Sequence, residues 1–502
     1  MTSVAAAATV CVSALTRRAT PHTGNAGVRL AAWTALRRHA WLAAVLGIAL
    51  LIGELPHLLS ACCAPPGATG LGTAWFVNDF AQYESAMRQG AEQPGWLVHD
   101  PFTAEPHQPA FMFPLYVGMG KLAATLDLPA QVVEHGVEIV ARALLVLALW
   151  RFCRGFTADR TAARWALGLS LFASGFELLA ALAGGTVYTG NWSYEMNGFG
   201  LLSAAVALLH PFHAPVLLGA VMLVGVAFWR TGRGVANLAG GLVAGVAALP
   251  VLLPTIVTFS LDPFWGSTYS VQNQLPSPAP HELLVDLGPT LVLALVGAAM
   301  LRARVAPFGL LVWLLLQLVA MYLPVPYQRR LGFGSEPVLA VLAANGLVHM
   351  CAKLDLRRAA ALRLGVVGTA ASGTLLVLMG VLASGLTNAP LPLYRSTSDL
   401  DAAAAWLDAQ AQPDDVIVAD WQASNYLAAR TPARVFGGHP VATREPDRKR
   451  LGISAVFAHS GSLAVARGLG AQWLVYGPEQ AGLTVAASPE FQSGAVRVYR
   501  LT

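Results

Sequence analysis

The chain has 502 residues, of which 55% are hydrophobic and only 12% charged. A soluble domain carries about a quarter charged residues. This composition therefore excludes a water-soluble chain, a disordered one and a secreted disulfide scaffold, and implies a polytopic integral membrane protein with a mean hydropathy of +0.56. The net charge of +5 sits in short loops between apolar runs and not on one basic face, so nucleic acid is not an expected partner. Cys11, Cys62, Cys63, Cys153 and Cys351 show neither metal-ligand spacing nor a disulfide framework.

Residues 1–39 hold Arg17, Arg18, Arg29, Arg37 and Arg38, which assigns this tail to the cytoplasm. The first apolar run, 40–60, is followed by Leu59-Ser60-Ala61-Cys62, a string like a lipoprotein cleavage box. The run is too long for a signal segment and contains Glu54, Pro56 and His57, so it reads as an uncleaved first span. A long outer loop, 61–130, carries Asp79, Glu84, Glu92, Asp100 and Glu105. It begins with an amphipathic helix from Asn78 to about Gln89 and turns at Pro94-Gly95. The apolar segment 109–127 is expected to lie along the membrane surface. If it crossed, the basic loop Arg151, Arg154, Arg160 and Arg164 would face outward.

Eight further spans are expected at 131–152, 162–186, 198–229, 235–260, 284–301, 305–323, 334–352 and 364–386, nine in all within a membrane domain 40–387. Arg230, Arg233, Arg302, Arg304, Lys353, Arg357, Arg358 and Arg363 then fall inside, and the outer loops 187–197 and 261–283 contain no Lys or Arg. The segment His210-Pro211-Phe212-His213-Ala214-Pro215 interrupts 198–229 and predicts a broken helix. On the second span, Glu134, Glu138 and Arg142 share one helical face, so Arg142 is expected to pair with Glu138 or with Glu177 of the third span.

From Asn388 the polar residues return and hydrophobic runs shorten to strand length: Val416–Ala419, Arg434–Phe436, Trp473–Tyr476 and Val496–Tyr499. Ser398 is the expected N-cap of a helix over 399–411. Residues 388–502 thus form a small α/β domain outside the plasma (inner) membrane. They carry no GxGxxG motif, and no nucleotide is expected there.

Four strings resemble a bacterial and archaeal branch of the GT-C superfamily of membrane glycosyltransferases: NDFAQYESAMRQG from Asn78, Glu195 followed by His210-Pro211, YQRRLGFGSEPVLAVLAANGL from Tyr327, and VFGGHPVAT from Val435. The resemblance implies an α-helical polytopic fold of the GT-C type, with surface helices in the first outer loop and a C-terminal extracytoplasmic α/β domain. It implies transfer of a sugar from a polyprenyl-phosphate carrier to a lipid, glycan or protein acceptor on the outer face. Asp79 takes the general-base position, with Tyr83, Trp192, Glu195, Gln328, Arg329 and Arg330 as substrate-binding residues.

The residues fit that chemistry on their own terms. A polyprenyl phosphate leaves readily, so the reaction needs a carboxylate to accept the acceptor's proton and cations to hold the developing phosphate charge. Arg329 and Arg330 form a basic pair in an outer loop, where guanidinium forks suit phosphate. Each reading has a plainer counterpart. Asp79 suits a helix N-terminus, the arginines suit lipid headgroups, and Trp192 suits an interfacial aromatic belt. No cofactor is specified; a divalent cation is compatible with the chemistry, and Glu105 and His107 are the candidate ligands. The competing functions are a transporter and a non-catalytic envelope assembly protein. A transporter would carry internal repeats and mid-membrane charges, whereas here the second half does not repeat the first.

Overall fold

A computed structural model describes residues 25–70, 77–157, 159–173, 176, 213–272, 274, 276–300, 305–325, 327–387, 394–458, 462–480, 483 and 485–501. The chain divides after Ile52 into two compact units, and every contact below lies within the second, Gly53–Thr502. That division falls inside helix α1 (Asn25–Cys63), which continues through Pro56 and the Leu59–Cys62 string.

The outer loop contains α2 (Val77–Glu92) and α3 (Pro114–Leu126). At 13 residues α3 is about 20 Å long, short of the roughly 30 Å hydrocarbon core. The two helices touch backbone to backbone: a Cβ on Gly120 would fall 1.9 Å from the Met87 carbonyl oxygen. Tyr83 of α2 stacks on Tyr116 of α3 with ring centroids 4.2 Å apart.

The helices that follow are α4 (Ala130–Phe156), α5 (Arg160–Phe172), α6 (His213–Ala227), α7 (Gly232–Leu261), α8 (Pro280–Ala299), α9 (Val305–Ala320), α10 (Ser335–Ala352), α11 (Leu356–Ala370) and α12 (Ser372–Thr387). Side-chain caps start several of them, with Asp159 accepting from the Ala162 amide and Thr231 from the Gly234 amide. Helix α10 is the buried centre of the bundle. Its Gly346 faces Gly297 of α8 and lets the two backbones meet: a Cβ on Gly297 would fall 2.0 Å from the Leu342 carbonyl oxygen.

Where nine spans were expected, four described segments are long and apolar enough to cross a membrane: Ala40–Cys63, Gly232–Pro250, Pro280–Ala299 and Gln328–Ala352. A fifth arises if α11 and α12, bent by 41°, act as one span. The difference has local causes. Residues 177–186 and 198–212 lie outside the described residues. Helix α4 has the length but carries Glu134, Glu138, Arg142, Arg151 and Arg154. Phe308–Ala320 is apolar but short.

The C-terminal region is α/β, as its strand-length runs predicted. A five-stranded sheet has the order β4-β3-β5-β7-β6, from β3 (Val416–Val418), β4 (Arg434–Val435), β5 (Trp473–Tyr476), β6 (Phe491–Ser493) and β7 (Val496–Arg500). Strands β4, β3 and β5 run parallel, and β7 and β6 complete an antiparallel edge. Helices α13 (Ser398–Gln410), α14 (Trp421–Arg430), α15 (Pro446–Phe457) and α16 (Ser462–Gly468) connect them. A separate ribbon pairs β1 (Ala68–Gly70) with β2 (Tyr394–Thr397). Strands β1, β2 and β6 were not anticipated, because three or four residues are too few to show a strand pattern.

The core of this region is not its own. Ala81, Phe102 and Ala110 of the outer loop, with Phe264, Trp265 and Tyr269 of the loop after α7, pack into one cluster with Leu407, Ile417, Val435 and Trp473. Each large apolar side chain buried this way contributes about 1.5–3 kcal/mol.

Candidate functional site

Asp79 lies in the first turn of α2, where the helix dipole favours a carboxylate. Its Oδ1 is 3.1 Å from Nε2 of His439, a fully buried imidazole, while Asp79 itself keeps 42% of its side chain exposed. The tautomer follows from the other ring nitrogen. Nδ1 accepts the backbone N–H groups of Val441 and Ala442, each at 3.0 Å. The ring proton therefore sits on Nε2 and is donated to Asp79. The terminal amide of Gln82 lies 2.7 Å from the same Nε2 and 2.9 Å from the Tyr269 hydroxyl; with the proton on Nε2, the amide turns its oxygen to the ring as a second acceptor of that proton and its NH2 to the tyrosine oxygen.

His439 is held by the turn that carries it. Thr443 Oγ1 accepts from the amides of Gly438 and His439, each at 3.0 Å, and donates to the Phe102 carbonyl at 2.7 Å. A Cβ at Gly438 would fall 2.7 Å from the Asn425 amide nitrogen, so glycine is required for this approach to α14. The outer loop also runs along the edge of the sheet. The Val435 amide donates to the Pro101 carbonyl at 2.8 Å, and Thr103 bridges Gly437. Lys449 Nζ closes the seam on Glu105 at 2.6 Å and Thr103 Oγ1 at 3.1 Å. On the other side of α2, Arg430 reaches the buried Glu84 at 2.9 Å.

Two further groups shape the electrostatics. Tyr269 ends a π-helical turn, Phe264–Tyr269, that Asp262 caps at the Phe264 and Trp265 amides. Burial, then the charges of Asp100 and Asp79, push its hydroxyl well above the usual tyrosine range, and Arg330 acts in the opposite sense. Asp79 and Arg330 thus both act on this hydroxyl. Asp100 is completely buried, which pushes its carboxyl up to about 8. Its Oδ1 accepts from the Phe102 amide, and its Oδ2 has no hydrogen-bond partner among the described residues.

The remaining candidates divide. Gln328, Arg329 and Arg330 form a 3-10 turn ahead of α10, with Arg329 buried and Arg330 half-buried. Tyr83 packs α2 on α3. Glu195 and Trp192 lie outside the described residues, as does Glu177. His107 spends both ring nitrogens on the loop: Nε2 accepts from the Asp100 amide at 2.9 Å, and Nδ1 is 3.0 Å from the Glu105 carbonyl. Glu105 is taken by Lys449 and Thr103. This pair closes the loop rather than presenting free metal ligands.

No protein-family model and no curated protein matches the sequence. Solved structures do match. The Archaeoglobus fulgidus oligosaccharyltransferase, tethered to an acceptor peptide containing the NVT sequon, aligns at 13% identity over 89% of this chain and 70% of its own, with a TM-score of 0.51. Archaeal AglB from the same organism, in complex with an inhibitory peptide and a dolichol-phosphate, aligns at 14% identity over 88% and 70%, also with a TM-score of 0.51. The fold is that of these oligosaccharyltransferase structures. A mycobacterial arabinofuranosyltransferase, AftD, also aligns, at 16% identity over 92% of this chain and 40% of its own, with a TM-score of 0.47.

Within this fold, sequence reasoning singled out Asp79 and the Gly437-Gly438-His439 turn separately, but not their contact. It missed Gln82 and Tyr269. The available signal was the pair of glycines before His439, which mark a place where backbones meet.

Proposed function

We propose that this protein is an integral membrane glycosyltransferase. It moves a sugar from a polyprenyl-phosphate carrier to a lipid, glycan or protein acceptor on the outer face of the plasma membrane. The observation that carries this reading is the exposed Asp79 carboxylate, oriented from behind by the buried His439. A carboxylate held in one direction and open to solvent on one edge is what proton removal from an acceptor hydroxyl requires. Asp79 takes that proton as the hydroxyl oxygen attacks the anomeric carbon and the carrier phosphate departs. Arg329 and Arg330 bind the phosphate and offset its developing charge. The named dolichol-phosphate and peptide complexes of AglB are in keeping with a lipid-phosphate donor and an outer-face acceptor. The substrate side is taken to be the side of the outer loop, with the N-terminus cytoplasmic and residues 388–502 outside.

The test is direct. Purified protein in liposomes is incubated with polyprenyl-phosphate sugars, and carrier phosphate release is followed beside an Asp79→Asn control. Release that survives Asp79→Asn unchanged overturns the assignment of the base. No release with any donor, alongside substrate uptake, favours a transporter. Orientation is read with single cysteines in a chain whose native cysteines are replaced. A probe at the exposed Gln422 labels from outside, and one at Leu356, which is 83% exposed, labels only after permeabilisation.

A further inference from the structure

Away from the candidate site, a second group of ionisable side chains lies between α1 and α4, close to where both helices meet the outer loop. Glu54 and His57 come from α1, and Glu134, His135, Glu138 and Arg142 from α4. Arg142 takes Oε1 of both Glu54 and Glu138. Each carboxylate then turns its second oxygen to a histidine: Glu54 Oε2 is 3.0 Å from His135 Nε2, and Glu138 Oε2 is 3.6 Å from His57 Nε2. The two imidazoles meet edge to face with centroids 4.5 Å apart.

Three observations go beyond an ion pair that staples two helices. One donor atom from each of His57, His135 and Glu138 falls within 4.8 Å of the other two. His135 Nδ1 is shielded from solvent and has no hydrogen-bond partner among the described residues. A buried imidazole nitrogen of this kind needs a partner. Finally, Glu134 adds a third carboxylate within electrostatic reach of Glu138, His57 and Arg142. Acidic side chains outnumber the one guanidinium in this group, and such a group between apolar helices calls for a further partner.

We propose that His57, His135 and Glu138 form a binding site for a first-row divalent cation of the zinc type. Two imidazoles and a carboxylate are the donor set such an ion prefers. Arg142 and Glu54 stand behind the ligands. Arg142 orients the Glu138 carboxylate, and Glu54 faces the Nε2 side of His135, the outer partners that metal-bound histidines commonly have. The ion cross-links α1 to α4 at the two ends of the outer loop that carries Asp79. The site is separate from the candidate catalytic residues, and the inference does not depend on their role.

The experiment uses the full chain in lipid nanodiscs, stripped with a chelator and titrated with Zn²⁺ or with Co²⁺ as a spectroscopic probe. The expected result is one tightly bound equivalent per chain, visible Co²⁺ d–d bands, and a rise in Tm on adding Zn²⁺. Asp79→Asn should keep all three. His135→Gln and Glu138→Gln should each lose the bands and weaken binding by roughly a hundredfold. Two substitutions on one helix guard against a single variant that fails to fold. Binding lost in Asp79→Asn but kept in His135→Gln would move the ion to the candidate active site and overturn the proposal. So would the absence of bound metal with a Tm that rises on acidification, the signature of two protonated histidines balancing the same carboxylates.

Discussion

His439 and Asp79 are 360 residues apart in the chain and 3.1 Å apart in space. The C-terminal domain therefore does more than cover the outer loop, because it supplies the donor that aims the loop's carboxylate. His439→Ala should lower kcat by about a hundredfold with little change in KM, the cost of a catalytic group set slightly out of line. His439→Gln places an amide N–H near the Nε2 position and should recover part of the loss. Equal turnover in all three proteins would separate the histidine from the reaction.

Asp79→Asn keeps the size of the side chain and its compatibility with a helix start, so expression and Tm should stay close to wild type. Carrier-phosphate release should fall by about 10²–10⁴ if the carboxylate is the base. Circular dichroism and turnover measured on the same preparation check both halves of the statement.

Arg330→Ala should cost about 3 kcal/mol of transition-state stabilisation, a hundredfold or more in kcat/KM. Removing this cation should also make the Tyr269 hydroxyl harder to ionise, since Arg330 now opposes its upward shift. Ultraviolet titration of tyrosinate follows that second effect.

Arg430→Ala leaves Glu84, which is 8% exposed, without its cation. Breaking a buried pair from one side typically costs about 3 kcal/mol, and the partly exposed Arg430 places this case at or below that figure. Burial already raises the Glu84 carboxyl above its ordinary range, with Arg430 opposing. The variant's loss should therefore be smaller at low pH, where Glu84 is protonated, and grow as pH rises. Thermal melts at pH 5 and pH 8 test this, and Glu84→Gln added to Arg430→Ala should restore most of the stability.

Asp100 makes a second pH prediction. Its carboxyl is raised from 3.8 to about 8 by burial, so the folded state holds a proton that the unfolded chain releases. A raised value means that this stability is complete below pH 4 and declines until the folded group ionises near pH 8. Asp100→Asn stays neutral throughout and should flatten the fall in Tm between pH 5 and pH 8. An unchanged slope would show that the carboxyl is ionised in the folded protein.

How much of this was readable from the chain depends on the range of the interaction. The C-terminal α/β fold was readable because Val416–Val418 and Trp473–Tyr476 are short apolar runs bounded by polar turns, a local pattern. The helix start at Asp79 was readable because an amphipathic pattern begins there. The contacts of His439 were not, since a turn between strands says nothing about which distant helix it will meet. Arg142 shows the same limit on a smaller scale. Its pairing with Glu138 follows from four-residue spacing, whereas Glu54, on another helix, was not foreseen.

The shared core has a consequence for how the protein is made. Phe102 and Ala110 complete their apolar surroundings with side chains of the C-terminal domain, and Thr443 joins Phe102 across 341 residues of chain. At synthesis rates of about 5–20 residues per second, that stretch takes roughly 20–70 s to produce. Throughout that interval the apolar face that Phe102 and Ala110 present to the C-terminal domain is uncovered. Biogenesis therefore includes a period in which a holding chaperone has a binding surface and a protease has a substrate. Every product truncated before residue 439 ends in that vulnerable form, without the residue that aims Asp79.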